Sequence, residues 1–253
     1  MIVHQVLSGA GPYDAVTTEA LEFRRCFTDW GWGGRDVAAS IDPRMGRRVG
    51  RLDTLAAAPD DVLLVHYSAY APKVARVLAL PNRTLLLNHN VTPAHWLWEH
   101  EPAIAVQCAV GRAQLPEFVR ASDAVAADSA FNAAELHAAG AGEVTVVPVL
   151  SHPERLGVPG PPDPPGPPTV LFVGRLMPHK RQDAVIRAFE LYRRRHAPDA
   201  RLVLVGAPIN ARYEAAMRAL ADELSPGHVR IESGLTPEQL ATRWRSAHAF
   251  LCL

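Results

Sequence analysis

The sequence predicts an α/β protein of two doubly wound parallel-sheet domains, the second incomplete. Three observations carry that prediction. Short apolar runs alternate with helical stretches along almost the whole chain, the pattern of a mostly parallel sheet with helices on both faces. Between Pro153 and Pro168 there are eight prolines with Gly157, Gly160 and Gly166. No helix or central strand tolerates that composition, so 153–168 reads as an extended, semi-rigid linker between a first domain at 1–152 and a second at 169–253. After it, Thr169-Val-Leu-Phe-Val-Gly-Arg-Leu-Met-Pro-His-Lys180 opens a fresh strand-to-helix unit.

In the first half, Val3 to Leu7 is the first strand, followed by the loop Ser8-Gly-Ala-Gly-Pro-Tyr-Asp14 and a helix from about Ala15 to Trp30. Ala20, Leu21, Phe23, Phe27 and Trp30 mostly recur at helical spacing, and Gly31-Trp-Gly-Gly34 supplies a stop. A short strand at Asp36–Ala39 precedes a loop bearing Arg44, Arg47, Arg48 and Arg51. That loop is either a solvated basic surface or a holder for an anionic acceptor or lipid face. Further strands are expected at Asp61–Tyr67, Thr84–Asn90, Asp123–Ala127 and Val144–Val149, with helices at about 72–80 and 103–120 and a Ser129-capped helix reaching Leu136. Polar tips at Ser8, His66 to Ser68 and His89 to Asn90 fall at the carboxyl ends of strands, where ligands sit in such sheets.

In the second half, Val170 to Val173 is a continuous apolar run, as in a strand buried on both faces. Gly174 lets the backbone leave the strand tightly and a ligand approach. Arg175 and Lys180 place two cations near a helix N-terminus, where unpaired N–H groups and the dipole already favour an anion. The glycine spacing fits neither a Walker A loop nor a dinucleotide fingerprint. A helix at about 181–196, strands at 201–205, 229–232 and 248–253, and helices at 212–224 and 237–246 complete the series. Ending on a strand with no helix over it, the second domain is expected to be truncated.

Bulk properties exclude several classes. Apolar residues make up 48%, charged residues 21%, and formal net charge is zero, so nothing in the total points to a nucleic-acid partner. Lys73 and Lys180 are the two lysines against many arginines. Cys26, Cys108 and Cys252 are too few and too scattered for a disulfide framework or metal knuckle. The start lacks a basic n-region and a long apolar h-region, and no apolar run reaches spanning length. The expectation is a cytoplasmic protein, with the basic loop leaving room for peripheral association at the inner face of a membrane.

The order Phe172-Val-Gly-Arg175, His179-Lys180, Leu202-Val-Leu-Val-Gly206, Ser233-Gly234 and Ala247 to Leu253 resembles the retaining GT-B glycosyltransferases of family four (glycosyltransferase group 1). Tyr13-Asp-Ala-Val16, His66-Tyr-Ser68 and Asn88-His-Asn-Val-Thr-Pro93 are similar to a bacterial branch of that family associated with polysaccharide assembly. The family's Glu-(seven residues)-Glu motif lies beyond the stretch matched here. The resemblance implies two Rossmann-like domains and a nucleotide-diphosphate sugar as donor substrate, with no cofactor or metal. It implies a glycan or lipid-linked acceptor and transfer with retention of configuration.

By that resemblance His89, Arg175 and Lys180 are catalytic, and Gly9, Gly11, Asp14, Asn90, Gly174, Ser233 and Gly234 bind substrate. Gly9 and Gly11 would turn backbone N–H groups toward the diphosphate, and His89 would contact the donor sugar. Asp14 has two readings, acceptor orientation and capping of the following helix. Ser233 and Gly234 would meet the nucleotide base. Trp96 and Trp98 are packing residues or acceptor contacts, and the spacing of His66, His95 and His100 is not that of metal ligands. As an incomplete donor site the fragment is expected to be inactive alone. A nucleotide-sugar or sugar-phosphate binding module without turnover, half of a split protein, is the alternative.

Overall fold

A computed structural model describes residues 1–12, 14–150, 154 and 165–253. Most of the linker expected at 153–168 and Tyr13 lie outside the described residues. The chain divides into two compact units: Met1–His95 with Pro102–Leu150, and Trp96–Glu101 with Ser151–Leu253.

The first unit contains β1 (Val3–Leu7), α1 (Ala15–Asp29), β2 (Asp36–Ala38), β3 (Gly50–Arg51), β4 (Val62–Tyr67), α2 (Pro72–Ala75), β5 (Arg83–Asn88), α3 (Pro102–Ala121), β6 (Ala124–Ala127), α4 (Ala130–Ala138) and β7 (Thr145–Val146). Its seven strands are ordered β3-β2-β1-β4-β5-β6-β7, and every pairing is parallel. The chain steps outward from β1 to β3, then returns to lay β4 on the other side of β1. The strand order therefore reverses between β1 and β4, the point where such sheets open a crevice beyond their carboxyl ends.

Central strands are buried on both faces. All five residues of β1 are buried, including the polar His4 and Gln5. The basic loop differs from expectation, since Arg51 lies in β3, paired with β2 through Val37–Gly50 and Ala38–Arg51. A two-residue edge strand has no hydrophobic alternation for a sequence pattern to reveal. The helix expected at 72–80 is one α turn, α2, followed by a 3-10 turn at Arg76–Ala79. The strand expected at 144–149 is only β7, an exposed edge.

The second unit contains β8 (Thr169–Val173), α5 (Gln182–His196), β9 (Arg201–Val205), α6 (Ala211–Leu224), β10 (Val229–Glu232), α7 (Pro237–Arg245) and β11 (Ala249–Phe250). The sheet order is β10-β9-β8-β11, again parallel throughout. Side chains of β8 alternate between two cores, as the period of two requires. Phe172 joins Val185, Ile186 and Phe189 of α5 and Tyr213 and Met217 of α6. Leu171 joins Val203, Val205 and the α7 residues Leu240 and Trp244 on the other face. The order reverses between β8 and β11, so the loop after β8 is this unit's switch point.

Candidate active site

Two glycines shape the switch point of the second unit, and they are not equivalent. The loop after β8 runs beside the loop after β9. Gly174 N–H donates to Val205 O (2.9 Å), Leu176 N–H to Ala207 O (2.9 Å) and Ile209 N–H to Leu176 O (2.9 Å). A Cβ on Gly174 would meet the rim of the Phe172 ring at 3.3 Å, but one on Gly206 would stand 1.9 Å from Gly174 O. The tight exit from β8 that the sequence assigns to Gly174 thus depends on Gly206 as well, which lets the Gly174–Arg175 backbone lie against the neighbouring loop.

Arg175 and Lys180 are both exposed, and among the described residues neither has a carboxylate partner, unlike Arg181, Arg193, Arg218 and Arg243 of the same unit. Between them lies a 3-10 turn, Pro178–Lys180, and then Arg181 in the left-handed region at φ 52°. Arg181 is the N-cap of α5 yet supplies no side-chain acceptor. α6 and α7, by contrast, are closed by Asn210 and Thr236 side chains. The first N–H groups of α5 therefore lack the side-chain acceptor that closes its neighbours, next to two unneutralised cations.

Gln182 holds this loop from beneath. Fully buried, it donates from Nε2 to Arg175 O (2.9 Å) and accepts at Oε1 from the Tyr213 hydroxyl (3.1 Å). Sequence reading missed it; a polar residue on the buried face of α5 was its only signal. His179 is pushed down to about 4 by burial, with the Lys180 and Arg175 charges adding to the effect. It is neutral at pH 7, and its Nδ1 has no partner. Ser233 and Gly234 follow β10 at the same carboxyl edge, both exposed, Gly234 at φ 69°.

Trp96–Glu101 completes the second unit. The Arg181 guanidinium lies over the Trp96 ring at 5.7 Å. Asn210 donates to His100 O (3.1 Å) and Glu101 Oε1 (2.8 Å). Trp98 is exposed.

In the first unit, Gly9 and Gly11 lie in the loop after β1, at that unit's switch point. Among the described residues nothing demands a glycine at either position. A Cβ on Gly9 would come no nearer than 3.9 Å to Ser40 O, and one on Gly11 no nearer than 3.9 Å to Asp14 Cβ. Gly11 N–H is already donated to Thr17 Oγ1 (3.1 Å). Asp14 is the N-cap of α1, its Oδ2 accepting from Thr17 N–H (2.8 Å) and Thr17 Oγ1 (2.7 Å). Ser8 Oγ and Ser68 Oγ, from the loops after β1 and β4, lie 3.4 Å apart.

His89 follows β5, with Asn90 next to it in the left-handed region at φ 68°. The His89 ring lies inside the unit, only 3% exposed, rather than at its surface. One ring nitrogen meets His66 and the other meets Glu19. In the Arg-rich segment, Arg44 is paired with Asp42 and Arg51 with Asp53. Among the described residues, no helix is long and apolar enough to cross a membrane.

Residues 160–253 match the family described as glycosyl transferases group 1. Sucrose-phosphate synthase from Thermosynechococcus elongatus superposes with a TM-score of 0.66 at 15% identity, covering 99% of this chain and 74% of that one. The lipopolysaccharide outer core galactosyltransferase WaaB gives 0.62 at 14% identity, over 100% and 74% of the two chains. An alpha-glucosyltransferase solved in complex with UDP gives 0.65 at 13% identity, over 99% and 72%. The fold is GT-B. No curated protein sequence matches the chain. Within this GT-B chain, the family match spans β8 to β11 and so contains Arg175, Lys180 and the loop that Gly206 shapes.

Proposed function

We propose that the chain is a glycosyltransferase that moves a sugar from a nucleotide-diphosphate sugar to a glycan or lipid-linked acceptor, with retention of anomeric configuration, in polysaccharide assembly. The observation that carries the proposal is the pair of unpartnered cations, Arg175 and Lys180, at the switch point of the second unit beside the uncapped start of α5. Departure of a sugar leaves a nucleoside diphosphate gaining negative charge. A cation about 4 Å from that charge contributes about 4 kcal/mol of Coulomb attraction at an effective dielectric near 20, before desolvation. Preorganised charge of this kind is usually the largest catalytic term. Arg175 has the planar fork for two phosphate oxygens and Lys180 the compact point charge. Together they supply the neutralisation that a divalent metal gives elsewhere, so turnover is expected to survive chelation.

Support from the first unit is chemical. Gly9 and Gly11 are glycines the fold does not need, at a switch-point loop, which fits close approach of a ligand to the backbone. Asn90 and the Ser8–Ser68 pair place polar groups at the same carboxyl edge. In this reading Ser233 and Gly234 lie by the base, and the leaving phosphate oxygen takes the proton of the acceptor hydroxyl, so no carboxylate pair of glycosidase type is required. The site of action is the cytoplasm, at the inner face of the membrane where the acceptor is lipid-linked.

The test is donor consumption by the full-length protein with UDP-glucose and other nucleotide sugars against glycan and lipid-linked acceptors, with the product anomer read by NMR coupling. The expected product keeps the donor's configuration, and Lys180→Ala lowers the rate by about a hundredfold or more. An inverted product, or a Lys180→Ala variant as fast as the parent, would overturn the reading. Donor binding without turnover would replace it with a binding module.

A further inference from the structure

Inside the first unit a line of buried side chains joins β2 to the end of β5, and the position of every hydrogen along it follows from its neighbours. It starts at the ion pair of Arg24 on α1 with Asp36 on β2 (2.8 Å). Gln5 Nε2 faces two acceptors, Asp36 Oδ1 (2.8 Å) and Ala20 O (2.7 Å), which fixes the orientation of the amide. Gln5 Oε1 must then accept, so His66 Nε2, 2.9 Å away, carries a hydrogen. Burial, with the charge of His89 adding to it, pushes His66 well below the ordinary histidine range, so the ring is neutral and its Nδ1 is a lone pair. That lone pair accepts from His89 Nε2 at 2.9 Å.

The second nitrogen of His89 meets only carboxylates. Nδ1 is 3.4 Å from Glu19 Oε2 and 3.9 Å from Asp128 Oδ2. A bare Nδ1 lone pair facing both would be repulsive. Glu19, on α1, is 2% exposed, and its Oε1 has no hydrogen-bond partner among the described residues. An ionised carboxylate so deeply buried needs a cation or a proton. Asp128 is served elsewhere, its Oδ1 accepting from Ser129 Oγ and Asn132 Nδ2. Imidazole ordinarily holds a proton more firmly than a carboxylate does. The groups facing the His89 ring are thus Glu19 from α1, His66 from β4 and Asp128 after β6. Only Glu19 has no other partner.

We propose that Glu19 and His89 hold one proton between them, resting on Nδ1, and that Glu19 is thereby a positioning residue for the end of β5. It keeps His89 as an imidazolium, hydrogen-bonded to His66 at Nε2 and ion-paired with Glu19 at Nδ1. This fixes the backbone of His89 and of the left-handed Asn90 at the edge where the donor sugar is received. The consequence for donor binding rests on the transferase reading, but the proton itself does not.

The experiment is nitrogen-15 NMR of the histidine rings at pH 7 in the parent chain, Glu19→Gln and Glu19→Asp, with UDP-glucose turnover measured on the same substitutions in the full-length protein. The parent is expected to show His89 with both nitrogens protonated, a result that needs no variant to fold. Glu19→Gln is expected to leave a neutral ring protonated at Nε2 and to lower kcat about tenfold with KM little changed; Glu19→Asp restores the imidazolium signature. A neutral His89 ring in the parent overturns the proposal. So does an imidazolium that persists in Glu19→Gln, which would give the role to Asp128. Absence of turnover in the full-length parent counts against the transferase reading, while the nitrogen shifts still decide where the proton lies.

Discussion

Replacing Gly206 by alanine sets one methyl group against main chain that cannot move aside. The added Cβ falls 1.9 Å from Gly174 O, 2.6 Å from Gly174 C and 3.2 Å from Arg175 Cα. Ordinary carbon–carbon contact begins near 3.5–4.0 Å, so the two loops must separate by an ångström or more. That separation opposes the bond from Gly174 N–H to Val205 O and the one from Leu176 N–H to Ala207 O. Overpacking of this kind costs about 1–3 kcal/mol, and weakening a buried hydrogen bond adds about 1 kcal/mol. A total of about 3 kcal/mol is a factor of roughly 150 in the folding equilibrium. Gly174→Ala is the matched control, because its Cβ meets only the edge of the Phe172 ring at 3.3 Å; it is expected to cost less than about 1 kcal/mol. Urea unfolding, followed by the fluorescence of the second unit's Trp244, measures both. Equal midpoints for parent and Gly206→Ala, or a larger loss in Gly174→Ala, would refute the steric argument and with it the placement of the Arg175 backbone.

Other consequences are as direct. Gln182→Ala strips the partners from Arg175 O and the Tyr213 hydroxyl inside the core, and should lower stability by about 2 kcal/mol in the same urea experiment; an unchanged midpoint would mean that the glutamine holds nothing. The depressed His179 makes stability pH-dependent. Its folded value near 4 lies below the ordinary 6.5, so the unfolded chain takes up the proton first and stability falls as pH drops from about 6.5 toward 4. His179→Gln should flatten the urea midpoint over that window, and an equal slope in parent and variant would show that His179 does not titrate there. Below it Glu190 takes over. Hydrogen bonds from Arg193, Ser225 and Arg194 hold it near 2, under the usual 4.5, so its contribution is lost as pH falls from about 4.5 through 2.

Much of this was legible in the sequence because buried parallel strands are short apolar runs. β1, β8, β9 and β10 lie where those runs predict, and the caps Asp14 and Ser129 were visible as residue types. The extent of the edge strands β3, β7 and β11 was not legible. β11 pairs with β8 at Ala249–Val170 and Phe250–Leu171, so the apolar run to Leu253 extends past its pairing. The cations were readable at the strand end, but what shapes their loop was not. Gly206 acts across a strand pair, and no local pattern says which of two strand-end glycines faces main chain. His89 likewise stood out as a polar tip, while the groups its buried ring meets, His66 and Glu19, lie 23 and 70 positions earlier. Beyond those polar tips, the sequence trace of that network is Gln5, a polar residue inside the largely apolar central strand β1.

Calorimetric titration of UDP into the parent chain, Arg175→Ala and Lys180→Ala at fixed salt tests the account at its centre. If the two unpartnered cations at the end of β8 receive the diphosphate, each substitution weakens UDP binding at least tenfold, about 1.4 kcal/mol, while unfolding midpoints stay put. Equal affinity in all three proteins would contradict it.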